Sequence, residues 1–117
     1  MRAWAKGLLC LEAAAELLIG HRSWLSREDF LAVAVESGRD LAAVDFVAAA
    51  CALEAGVLPC SGSESQVLRV AASIAAGVPV DLREALTGLD AGNVVLAARA
   101  ICHAAGYRAV MVAEARR

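Results

Sequence analysis

Glycines at positions 20, 38, 56, 77, 88 and 106 cut the chain into stretches of 10 to 20 residues. Within those stretches the commonest residue is alanine, which fills about a quarter of the chain, far above ordinary usage. Alanine has the highest helix propensity and loses no side-chain entropy on ordering. Glycine readily takes the left-handed conformation that closes a helix. A chain punctuated this way is expected to form short helices joined by turns. With 60% hydrophobic but only 4% aromatic residues, the core has to close on small side chains, so the helices must approach closely. The 117 residues make one ordinary domain. At this size about two-thirds of the unfolded chain's surface is buried. The expectation is an all-α fold: one domain over residues 1–117, a single compact orthogonal bundle of about five or six short helices.

Capping signals refine the boundaries. Residues 3–19 read as a first helix, with Trp4, Leu8, Leu11, Ala15 and Leu18 on one stripe and Gly20 as its stop. Ser26 with Asp29 starts a second helix at about 27–37, with Leu25 and Phe30 placed as a hydrophobic staple. Asp40 starts a third at about 41–55, and Pro59 prevents its continuation. A fourth runs from about Glu64 to Ala76, a fifth from the Asp81 cap to about Thr87, and a sixth from the Asp90 cap to about Ala105. Residues 107–113 fit either a short strand or a helical extension.

The charge balance narrows the function. The formal charge is −2 and Lys6 is the only lysine, so net charge supplies no attraction for nucleic acid. Glu12 and Glu16 interrupt the apolar run near the start, which argues for an amphipathic helix over a signal peptide. No apolar run reaches the roughly 18–20 residues of a membrane span. Cys10, Cys51, Cys60 and Cys102 show no C-x-x-C pairing and are expected to be reduced thiols in a cytoplasmic protein. The Arg, Ala, Gly and Val usage is that of a high-GC bacterial genome.

The stretch PCSGSESQ, residues 59–66, concentrates hydroxyls ahead of an apolar run. Ser61 with Glu64, and Ser63 with Gln66, fit two overlapping capping boxes. An anion at this helix start would meet Glu64, and no phosphate-loop lysine follows. From Ser61 to Asp90 the chain resembles the signature-to-D-loop segment of ABC-type ATPases, through Ser61, Gly62, Glu64 and Gln66 and then Gly88, Leu89 and Asp90. It departs from that pattern at Ser63, where a glycine stands in the family, and at Val80–Arg83, where a Walker B strand would end in adjacent acids. ATP chemistry also needs a phosphate loop, so no ATPase activity is expected. The run LRVAASIAAGVPVDL resembles uncharacterised small Ala-rich helical proteins of actinobacteria, which implies no activity.

No residue set reads as catalytic, cofactor-binding or metal-ligating. Cys102 and His103 are adjacent, so on a helix they point about 100° apart. Glu12 and Glu16 lie four apart and read as a solvated face. Cys60 precedes a helix start, which would lower its thiol pKa, while Glu64 opposes that. The leading expectation is a non-enzymatic interaction protein, an adaptor or accessory, that self-associates and contacts a protein partner. Trp4, Trp24 and Phe30 are its candidate anchors, while each taken singly reads more readily as a core residue. One alternative is a helix-turn-helix-like DNA regulator using the helices at 27–37 and 41–55, with Arg22, Arg27 and Arg39 as contacts; ALEAGVL, residues 52–58, resembles a helix end of winged-helix regulators. Its would-be reading helix carries Asp40 and Asp45 but no base-reading cation. The other alternative is an unrecognised small enzyme.

Overall fold

The alanine-rich stretches become helices, several of them where a polar side chain holds the first turn. The computed structural model describes the backbone of residues 3–36 and 43–107, and the side chains of 8–34 and 44–107. Among the described residues there are six α-helices: α1 (Ala3–His21), α2 (Glu28–Ala34), α3 (Phe46–Glu54), α4 (Gly62–Ala76), α5 (Leu82–Gly88) and α6 (Ala91–Ala105). A 3-10 turn, Trp24–Ser26, joins α1 to α2. Strands β1 (Val35–Glu36) and β2 (Ala43–Val44) make a two-residue antiparallel ladder between α2 and α3, pairing Val35 with Val44. The architecture is an all-α bundle.

Four helices begin on side-chain caps. Asp45, Ser61, Asp81 and Asp90 accept the backbone N–H of Ala48, Glu64, Glu84 and Asn93 respectively. Such caps satisfy amides that no helical carbonyl reaches. Gly77 and Gly106 close α4 and α6 in the left-handed conformation, at φ 72° and 87°.

α4 is the central element, packed against α1, α3, α5 and α6. It buries Val67, Leu68, Val70, Ala71 and Ala72. α1 contributes Ala13, Ala14, Leu17 and Leu18 to the same core. α1 and α6 run antiparallel: Gly20 meets Leu96 near one end, and Glu12 meets His103 toward the other. Trp24 and Phe30 are both fully buried, with ring centroids 5.5 Å apart. Burying one side chain of this size contributes up to about 3 kcal/mol.

Several boundaries differ from the sequence reading. Gly20 does not stop α1, which continues through His21. Its absent Cβ instead makes room for α6: an added one would stand 3.0 Å from Leu96 Cδ2. The left-handed residue is Arg22, at φ 76°. The apolar stripe read on α1 is not its buried face. Leu18 is buried, but Leu8 and Leu11 are about half exposed, and Ala13, Ala14 and Leu17 line the core. Ser26 caps no helix; its hydroxyl donates to the Ser23 carbonyl. The helix read at 27–37 ends at Ala34, where β1 begins. The helix read at 41–55 spans 46–54 and is capped by Asp45, while Gly38 and Asp40 lie outside the described residues. Gly88 is the last residue of α5, because the chain turns extended at Leu89. Residues 108–113 of the ambiguous tail lie outside the described residues.

A non-glycine residue in the left-handed region pays roughly 1–2 kcal/mol of steric strain, partly offset by the greater freedom of glycine in the unfolded chain. Arg22→Gly is therefore expected to raise unfolding stability by about 1 kcal/mol in urea denaturation. A loss of stability would mean that the Arg22 side chain contributes more than its backbone strain costs.

Candidate functional site

The hydroxyls of PCSGSESQ are all engaged within the fold. Ser61 and Glu64 form the reciprocal capping box. Ser63 does not pair with Gln66. Its oxygen accepts from the Asp90 N–H at 3.1 Å and from Asn93 Nδ2 at 2.9 Å, joining the starts of α4 and α6. Ser65 accepts from Arg69 Nε at 3.2 Å. Glu64 does more than cap: its second oxygen accepts from Ser23 Oγ at 2.7 Å, and its carbonyl accepts from Trp24 Nε1 at 2.9 Å. Each serine oxygen thus accepts within the fold, and the Glu64 carboxylate stands at the same helix start, where it would repel an anion.

The interaction anchors fare differently from one another. Trp24 and Phe30 are core residues with no exposed surface, so neither presents a ring to a partner. Trp4 lies on α1, but its side chain is outside the described residues. The candidate DNA contacts are also scattered. Arg27 is held by Asp29, by the Pro59 carbonyl at 2.7 Å and over the Trp24 ring at 4.7 Å. Arg22 is exposed, and Arg39 is outside the described residues. Eleven residues separate Ala34 from Phe46, where a helix-turn-helix has a turn of about 3–4. On α3 the exposed residues are Val47, Cys51 and Glu54, which offer no cation to a phosphate and no amide to a base edge.

One constellation appears that spacing along the chain did not assemble. Glu12 and Glu16, one turn apart on α1, close on His103 of α6. Glu12 Oε1 is 3.0 Å from Nε2 and Glu16 Oε1 is 3.2 Å from Nδ1. The acids are therefore not a purely solvated face. The imidazole is 5% exposed. The Glu12 contact is a hydrogen bond and the Glu16 contact a close approach, so each ring nitrogen faces a carboxylate oxygen. Among the described residues no three His, Cys, Asp or Glu side chains converge to hold a metal ion.

Beside this cluster, α1 and α6 enclose a half-open cavity of about 190 Å³. Ala13, Leu17, Leu96 and Ala100 make its apolar wall, and buried His103 forms its polar floor. Glu16 and Arg99 stand at its mouth, both exposed. The missed signal was the pair Arg99 and His103, four apart on α6 and matching the acids four apart on α1. Nothing in the linear spacing says which helices adjoin.

The thiol at Cys60 moves opposite to the helix-start expectation. Burial pushes it up, and the Glu64 charge adds to that, outweighing Arg27 and Arg69. The Glu64 carboxyl is held below its ordinary 4.5, first by the Ser23 hydroxyl and then by the Ser61 N–H. No protein-family model, curated protein or solved structure matches this chain.

Two outcomes follow from these environments. Alkylation at mildly alkaline pH should modify exposed Cys51 before Cys60, as read by peptide mass spectrometry; a faster Cys60 would contradict its burial. A carboxyl with a lowered folded-state pKa stabilises the fold above its unfolded value and loses that contribution as pH falls through the folded value. Glu64→Gln, which can still cap, should therefore flatten the decline of melting temperature below pH 4.5. An unchanged acid limb would remove Glu64 from that role.

Proposed function

We propose that the protein is a non-enzymatic helical interaction protein that pairs with a second copy of itself through the outer face of α1. The observation that carries this reading is a second apolar stripe on that helix. Leu8, Leu11 and Ile19 are 51%, 47% and 60% exposed, with Ala15 between them. They lie opposite the buried Ala13, Ala14 and Leu17. Spacings of three and four residues bring them onto one side of the helix, as in the seam of a helix pair. Among the described residues no other element covers them.

A second copy suits this stripe because a two-fold axis matches a surface to itself. Along α1 the formal charges run from Lys6 to Glu12 and Glu16. Two copies laid antiparallel set their helix dipoles in opposition. The stripe from Leu8 to Ile19 is only about 16 Å long. That is small against the roughly 800 Å² per partner of a standard interface, so the pairing is weak and concentration-dependent. As part of the same proposal, the protein belongs to a bacterial cytoplasm, consistent with four free cysteines. Among the described residues no helix is long and apolar enough to cross a membrane.

Sedimentation equilibrium across the micromolar range should show a monomer–dimer exchange. The double substitution Leu11→Glu and Ile19→Glu should abolish it while leaving the helical circular dichroism unchanged. A wild-type monomer throughout the range would sink the reading. A dimer indifferent to the substitutions would move the association to another face.

A further inference from the structure

The cavity between α1 and α6 has a chemistry that self-association does not use. Its mouth carries two opposite charges that do not satisfy each other. Glu16 and Arg99 both line it, yet form no ion pair within 4.0 Å. Glu16 gives Oε1 to His103, and its other oxygen has no partner among the described residues. Arg99 likewise has no hydrogen-bond or ion-pair partner among the described residues, unlike Arg27 and Arg69. The wall behind these charges is apolar. At the floor, His103 is held in place by two carboxylates, so the polar group there is pre-set in orientation.

We propose that this cavity binds a small zwitterion, an α-amino acid with a compact apolar side chain. The ammonium of the ligand meets the free oxygen of Glu16 and its carboxylate meets the Arg99 guanidinium, which binds carboxylates in a two-pronged fork. The side chain enters against Leu17, Leu96 and Ala100. The apolar wall of Leu17, Leu96 and Ala100 favours an apolar side chain, and the cavity of about 190 Å³ is of small-molecule size. A molecule with only one of the two charges meets Glu16 or Arg99 but not both.

The test is isothermal calorimetry of the full chain with L-valine, isobutylamine and isobutyrate, repeated on two variants. Arg99→Met removes the fork at a residue with no partner to lose. Glu16→Gln removes the charge but keeps an oxygen for His103. The expected result is saturable heat with L-valine, at least tenfold weaker binding in either variant, and no measurable binding of the amine or the acid alone. Circular dichroism of both variants should match the wild type. Absence of heat with L-valine overturns the proposal. So does binding that is undiminished in Arg99→Met, or isobutylamine binding as tightly as valine. None of these results depends on whether the protein pairs through α1.

Discussion

The Glu64 carboxylate, at the third position of α4, is the point on which the connections of the fold converge. One oxygen takes the Ser61 N–H and closes the helix start; the other takes the Ser23 hydroxyl from the turn after α1. The carbonyl of the same residue receives the indole N–H of Trp24, so a fully buried ring has its single polar atom satisfied. One residue earlier in the helix's first turn, Ser63 receives the start of α6. Two segments distant in sequence, the turn after α1 and the start of α6, are thereby held to one helical turn. Burying Trp24 without that carbonyl would leave an indole donor unpaired, at a cost of about 1–3 kcal/mol. The capping box and the core are thus one arrangement.

What was legible in the sequence was local. The caps at Ser61, Asp81 and Asp90 follow from side chains reaching amides three residues on, and all three hold. The closing glycines at 77 and 106 likewise express a local backbone need. Errors arose where a tertiary contact overrode a local signal. Gly20 has the look of a stop, but its smallness serves the Leu96 contact, and the chain turns two residues later at Arg22. Ser26 has the look of a cap, but the adjoining 3-10 turn takes its hydroxyl. The stripe on α1 was visible as a period, yet periodicity does not say which of two apolar faces meets the core. In an alanine-rich helix both faces qualify, and the small one, Ala13 and Ala14, is the one buried.

The same limit governs the candidate site. Glu12 and Glu16 were recognisable as a pair and His103 as a lone imidazole, but their meeting depends on α1 and α6 lying antiparallel at one register. Ninety-one residues separate Glu12 from His103. Arg99 carried no signal of its own; it becomes informative only when Glu16 is seen across the same cavity. Trp24 and Phe30 show the reverse. Aromatic character fits a partner contact or a core, and burial settles it for these two: they fill the centre of a core rich in alanine.

That smallness has a mutational consequence. Ala13, Ala14, Ala49, Ala71, Ala72 and Ala85 are each fully enclosed. A leucine core degrades by degrees, because side chains can be shortened in steps. Here the only shorter side chain is glycine, which loosens the helix itself, and every longer one presses a neighbouring backbone outward. Variation at these positions is therefore closed in both directions. Sequence drift is channelled to the outer faces of the same helices, where the surface can change without moving the frame.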